Sequence, residues 1–402
     1  MFKLYREIFN APGAKGFSAA GFIARMPISM MGIGIVTMLS QMRGEYGLAG
    51  AVAATFALSS ALIAPHISRM VDRLGQSRVL LPSAGISVVS IISLLLCTRY
   101  EAPVWTLFLF ALLAGCMPSM SAMVRARWTE LYRGSPMLHT AFSFESVVDE
   151  LCFIIGPVIS VGLSIMFFPE AGPLLSCIFL LIGVVLFTMQ RSTEPTVRPL
   201  SLKSAGTVIK IGSLRLLAFT LVAVGTIFGT IDVVSVAFAE SQGNTVAASY
   251  VLSIYAIGSC LAGLVFGTLK LRTPLYRQFL ITVAVAMVTM IPLIFVDSIV
   301  KLAFVVFFAG MSVAPTMIVT MGLVEKIVPE SQLTEGMTWA ITGLGVGVAL
   351  GSAAGGWVVD GFGERMGFSV AIAAGVIALA IVGIGYKSLQ SAYYHAISSS
   401  NK

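Results

Sequence analysis

Apolar residues in this chain come in runs far longer than a soluble helix needs, each closed by a short polar or turn-forming segment. About 20 apolar residues are required to cross a bilayer as a helix, and reading the runs against their punctuation predicts twelve such helices. In the first half they run Phe17 to Leu39, Leu48 to Ala64, Leu80 to Cys97, Val104 to Met123, Phe142 to Phe167 and Leu174 to Gln190. The second half gives Leu216 to Ala239, Ala247 to Leu269, Phe279 to Phe295, Leu302 to Leu323, Met337 to Val359 and Met366 to Tyr386. The expected fold class is therefore an all-α integral membrane protein.

Composition agrees: the 402 residues are 57% hydrophobic and 11% charged, against roughly a quarter charged in a soluble domain. No large soluble domain fits between the spans. The net charge of +7 comes from basic residues scattered through short loops, without a patch of interleaved aromatics, so a nucleic-acid partner is not expected. Five cysteines (Cys97, Cys116, Cys152, Cys177, Cys260) stand singly in apolar stretches, and His66, His139 and His395 lie far apart. That pattern offers neither a disulfide framework nor metal-ligand spacing, and no cofactor is expected. The opening segment leads into an apolar run that holds Arg25, without a short apolar core and small-residue cleavage site, so no cleaved signal peptide is expected.

Cytoplasmic loops retain Lys and Arg. With the N-terminus inside, 20 basic residues fall on inner segments and four (Arg43, Arg99, Lys301, Arg365) on outer loops. The expectation is a multi-pass protein of the cytoplasmic (inner) membrane with both termini cytoplasmic. The longest polar connection, residues 191–215 with Arg191, Arg198, Lys203, Lys210, Arg215, Pro195 and Pro199, divides a six-helix bundle over residues 1–190 from a second over 216–402, which ends in a short cytoplasmic tail. An internal repeat supports the division: an offset of 195 brings Gly115 onto Gly310, Leu138 onto Leu333 and Gly156 onto Gly351. An offset of 199 aligns Ser60 with Ser259, Leu62 with Leu261 and Ser68 with Gly267. Two pseudo-symmetric six-helix halves facing a central cavity is what such a repeat implies for a secondary transporter.

The turn after the second predicted helix reads Ser68-Arg69-Met70-Val71-Asp72-Arg73-Leu74-Gly75-Gln76-Ser77-Arg78. It resembles the Gly-x-x-x-Asp-Arg-x-Gly-Arg-Arg signature of the major facilitator superfamily. Asp72, Arg73 and Gly75 match, Ser68 replaces a glycine, Gln76 and Ser77 replace basic positions, and Arg78 remains. The resemblance implies the twelve-helix fold of that family, with Asp72 near the N-terminus of the eleventh helix, where the helix dipole favours negative charge. Ser68, Asp72, Arg73, Gly75 and Arg78 would then form a cytoplasmic gate; the plainer alternative is a solvated basic loop. In the fifth helix Cys152, Gly156 and Pro157 resemble the core of a motif found in antiporter-type members, although Ser160 and Val161 stand where glycines usually follow. This tilts the reading toward export. Ala111 occupies the place where many proton-coupled members carry an arginine, so coupling through that arginine is not expected.

Five ionisable residues fall inside predicted spans: Arg25, Glu145, Asp149, Glu150 and Asp232. Each would cost about 3 kcal/mol facing lipid, so they should face a cavity or one another. Glu145, Asp149, Cys152 and Gly156 step around α-helical spacing onto one face, with Glu150 about 100° round from Asp149. Arg25 lies at a similar depth, close enough to neutralise one acid and leave another as proton carrier; a static buried ion pair is the alternative. Asp232, with Phe142, Tyr255 and Trp339, is a candidate for the substrate cavity, and Trp128 reads as an interface anchor. Gly343, Gly347, Gly351 and Gly355 line one face of the eleventh helix, which suits close helix packing better than a ligand site.

Four acids against one arginine favour a cationic or neutral amphipathic substrate. The function expected is proton-coupled efflux of a small drug or metabolite by alternating access, with the protein working as a monomer alongside its substrate, protons and the bilayer. Proton symport or facilitated uptake is the alternative. An enzyme would need a clustered acid-base or metal set and a sensor a signalling domain, and neither is visible.

Overall fold

The structure is a computed structural model that describes residues 2–44, 46–197, 207–243, 246–269 and 271–400, and every regular element among them is helical. In chain order these are α1 (Phe2–Glu7), α2 (Ala14–Arg43), α3 (Tyr46–Leu74), α4 (Gln76–Arg99), α5 (Val104–Ala114), α6 (Met120–Tyr132), α7 (Met137–Met166) and α8 (Ala171–Met189). Beyond the connection come α9 (Gly212–Ser241), α10 (Val246–Phe266), α11 (Leu275–Val288), α12 (Ile299–Gly310), α13 (Val313–Ile327), α14 (Leu333–Phe362) and α15 (Glu364–Ser400). Short 3-10 turns join several of them. Ten helical segments are long and apolar enough to cross a membrane, and the shorter apolar helices Val104–Ala114 and Tyr250–Phe266 bring the number to the twelve predicted. Of the polar connection, Arg198, Pro199 and Lys203 lie outside the described residues.

The fourth predicted span is corrected. Instead of one helix to Met123, α5 stops at Ala114, residues 115–119 are non-helical, and the chain resumes as α6. Pro118 accounts for the break, since it lacks an amide N–H and biases Met117 away from helical dihedrals. Arg125, Arg127 and Trp128 therefore lie within a packed helix, not in a loop, and all three are fully buried. Trp128 is not an interface anchor: it packs edge-to-face on Phe17 at 4.7 Å and stacks on Tyr132 at 5.9 Å.

The chain forms two compact units, an N-terminal one of Tyr5–Ser135 and Val148–Leu200 and a C-terminal one of Met1–Leu4, Pro136–Val147 and Ser201–Lys402. The first turns of α7 thus belong with the second unit. There His139 Nε2 bonds to Phe266 O at 2.9 Å and Thr140 Oγ1 donates to Gly267 O at 3.0 Å, at the end of α10.

The internal repeat reappears as packing. In the N-terminal unit Gly115 sits against Ser59 and the Ser60 backbone, while Ser59 Oγ donates to Leu112 O at 2.5 Å. In the C-terminal unit Gly310 sits against the Tyr255 backbone and Gly258 against Phe307 O. Leu112 and Phe307, like Gly115 and Gly310, are 195 apart. Gly156 meets Ser29 of α2, and its counterpart Gly351 meets Thr226 of α9.

The glycine face of α14 is occupied by α9. A Cβ at Gly343, Gly347 or Gly351 would clash with the carbonyl oxygens of Ala218, Val222 or Thr226, and from the other side Gly225 and Gly229 abut Leu344 O and Val348 O. Thr230 Oγ1 to Gly351 O and Ser352 Oγ to Gly229 O, both 3.3 Å, bond across the same seam. Small residues are what allow membrane helices to approach this closely. Against α9 and α15 a core forms from Ile227, Phe238, Met290, Val306 and Phe368.

Candidate functional site

A polar ladder sets the register of α2 against α7 in the N-terminal unit. Ser29 Oγ donates to Met26 O on its own helix and to Cys152 O on α7 at 2.8 Å, and Ser160 Oγ donates back to Met30 O at 3.0 Å. Gly156 leaves the room for Ser29. Cys152, Gly156 and Ser160 are therefore points of contact by which α7 lies on α2. One turn toward the N-termini this register brings Arg25, about 17 Å along α2, level with Asp149, about 18 Å along α7.

Arg25 Nη1 lies 2.8 Å from Asp149 Oδ1, and Arg125 Nη2 from α6 lies 2.7 Å from Oδ2. Ser121 Oγ donates to Oδ1 at 2.7 Å, and Arg125 Nη1 donates to Ser121 O at 3.3 Å. One carboxylate is thus held by two guanidiniums and a hydroxyl. The arginine side chains are 2% and 1% exposed and that of Asp149 is 23% exposed, so the carboxylate is the member of the cluster that opens to the surroundings. Arg125 Nε is buried and has no hydrogen-bond partner among the described residues. Arg125 is the member of this cluster that the sequence pattern does not single out; Pro118, breaking the span ahead of it, is the signal that could have found it.

Other predicted residues distribute as follows. Glu145, one turn before Asp149, is fully buried, and Glu150 is half-buried. Phe142 is 1% exposed. In the C-terminal unit Asp232 is exposed on α9. Phe228, one turn earlier, packs edge-to-face on Tyr255 at 6.1 Å. Trp339 is half-buried, and its Nε1 has no hydrogen-bond partner among the described residues. The charge balance behind a cationic substrate also changes, since Arg125 and Arg127 join Arg25 as buried arginines.

In the Ser68–Arg78 turn, Ser68 is buried, Asp72 half-buried, and Arg73 and Arg78 exposed. Gly75 takes φ +93°, a left-handed-side conformation that side chains disfavour. Of the departures from the signature, Gln76 has side-chain work, while Ser77 contributes through its backbone. Ser77 N donates to Glu194 Oε1 at 2.8 Å, which puts an acid at the N-terminus of α4. Gln76 Nε2 donates to Met123 O at 3.0 Å while its Oε1 accepts from Arg127 Nε at 2.8 Å. Arg127 continues to Gln190 O, Thr193 Oγ1 and Phe187 O at 2.8, 2.8 and 3.0 Å and lies 3.8 Å over the Phe187 ring. A single guanidinium thereby ties α4, α6 and the end of α8.

Among the described residues no group of His, Cys, Asp and Glu is arranged to hold a metal ion. The structure is similar to that of the human organic anion transporter MFSD10 (TETRAN), with TM-score 0.73 and 12% identity over 92% of this chain and 98% of that one. A bacterial homologue of the iron transporter ferroportin in its outward-facing state gives TM-score 0.73 and 14% identity over 93% and 99%. The transporter FucP in its outward conformation gives 0.69 and 12% over 93% and 98%. No curated protein matches the sequence. Residues 17–318 match the family description Major Facilitator Superfamily; with most of its length so matched and its helices folded as in those structures, the chain belongs to the Major Facilitator Superfamily and is a multi-pass membrane transporter of small molecules.

Proposed function

We propose that the protein couples substrate movement to protons by alternating access, with Asp149 as the coupling carboxylate. The observation that carries this reading is the Arg25–Asp149–Arg125 cluster, buried within the spans yet open at the carboxylate. Charge pairs inside a membrane mark ion and proton pathways. A proton arriving at Asp149 removes the attraction that draws α2, α6 and α7 together, so protonation and helix rearrangement are linked. The two N- and C-terminal bundles are the moving halves, the protein acts as a monomer in a cytoplasmic membrane, and both termini face the cytoplasm. Glu145 and Glu150 on α7 are the neighbouring acids that share the proton path, and Asp232, Tyr255 and Trp339 are the candidate substrate contacts of the C-terminal unit.

Export by exchange, the direction suggested by the α7 motif, requires substrate and proton to compete for Asp149. A second reading, cotransport, is favoured by the two arginines: a substrate that engages them leaves Asp149 to take a proton in the same state. Proton movement on adding substrates to inside-out vesicles tests both. Intact protein should release lumenal protons during exchange or draw protons in during cotransport, and Asp149→Asn should lose either signal. Substrate flux with an unchanged pH dependence in Asp149→Asn would remove the coupling assignment.

The Asp72 turn is the cytoplasmic gate of this cycle. Asp72→Asn should lower transport at least fivefold with normal expression and normal thermal stability; full activity in vesicles would remove the gate role.

A further inference from the structure

We propose that Arg25 and Arg125 form the recognition site for an anionic substrate group, a carboxylate or phosphate, which replaces Asp149 between the two guanidiniums. This rests on the transport reading above and names the substrate class of that site. Three observations carry it. The guanidiniums converge from α2 and α6 on one carboxylate, through Arg25 Nη1 at 2.8 Å and Arg125 Nη2 at 2.7 Å. Arg125 Nε is buried with no hydrogen-bond partner among the described residues, so the donor set exceeds what Asp149 uses. Asp149, at 23% exposure over arginines at 2% and 1%, covers the pair as a lid. A ligand reaching the arginines must take the place of a carboxylate, and the group that does so best is another planar or tetrahedral oxyanion, because guanidinium forks match such oxygens. Ser121 Oγ, 2.7 Å from Oδ1, supplies a further donor to the same spot. A cation gains nothing from this arrangement, since it would meet the arginines as soon as Asp149 moved.

The test uses full-length protein in detergent, without any gradient, and reads ligand-dependent thermal stabilisation with three probes: benzoate, succinate and inorganic phosphate. Tetraphenylphosphonium serves as the cationic control. At least one anion should stabilise the intact protein in a saturable manner. Arg125→Gln, which leaves Asp149 paired to Arg25, should weaken that anion at least tenfold. Asp149→Asn should bind it at least tenfold more tightly, because the competing carboxylate is gone. A merely structural cluster predicts no such opposition in sign. No stabilisation by any of the three anions in either the intact protein or Asp149→Asn overturns the proposal, as does equal anion binding by Arg125→Gln. If Asp149→Asn does not fold, the Arg125→Gln comparison decides alone. Anion binding in protein that moves no protons would keep this site and sink the coupling reading; proton coupling without anion binding does the reverse.

Discussion

Gly347→Leu will prevent the C-terminal unit from forming. Even the Cβ of an alanine at this position would clash with Val222 O of α9, and the nearest group is backbone, which no rotamer change can move aside. Ordinary overpacking of a core costs about 1–3 kcal/mol because side chains shift. Here the two helices must separate along the seam, which also removes the Thr230–Gly351 and Ser352–Gly229 hydrogen bonds. Size-exclusion chromatography of fluorescently tagged protein should show loss of the monodisperse peak. Gly345→Leu is the control two residues away, since a Cβ there meets nothing within 4 Å; its peak and melting temperature should match the parent. Normal folding of Gly347→Leu would show that α9 and α14 do not meet through their backbones.

Arg127→Leu should be the most damaging change in the N-terminal unit. It strips partners from Gln76 Oε1, Gln190 O, Thr193 Oγ1 and Phe187 O together. Hydrogen bonds to charged groups contribute about 1.5–3 kcal/mol each, and loss of this set should destabilise by at least about 3 kcal/mol. Lysine keeps the charge but offers a point donor in place of a planar fork, so Arg127→Lys should recover less than half of the loss. Thermal unfolding and protease sensitivity of the segment after α8 would measure it; an Arg127→Leu protein with the parent's melting temperature would refute the hub.

The sequence made legible whatever depends on helical stepping. Twelve apolar runs, the shared face of Glu145, Asp149 and Gly156, and the glycine face of α14 follow from a rise and a turn angle. The pairing of Arg25 with Asp149 follows from similar depth, once both are known to lie in spans. What stayed hidden depends on burial against the usual sense of charge. Arg125 and Arg127 look like positive-inside loop residues because a hydropathy count ends the fourth span before them. Their burial is possible because Asp149, Ser121, Gln76 and three carbonyl or hydroxyl oxygens at and beyond the end of α8 receive their donors, and of those partners only Ser121 is near in sequence. Trp128 misled in the same way: an aromatic beside two arginines suggests a membrane surface until the break at Pro118 is recognised.

The glycine seam between α9 and α14 has a mechanical consequence. Where side chains interleave, neighbouring helices can slide by exchanging rotamers, but a backbone-to-backbone joint has none to exchange. Advancing α14 by one residue would drive Leu344 or Val348 into carbonyls that now face glycine. The pair is therefore a stiff girder running through the C-terminal unit, and bending during a transport cycle is left to elements with interrupted helices, such as the α11 end at Pro292 and the α12–α13 step at Met311 and Ser312.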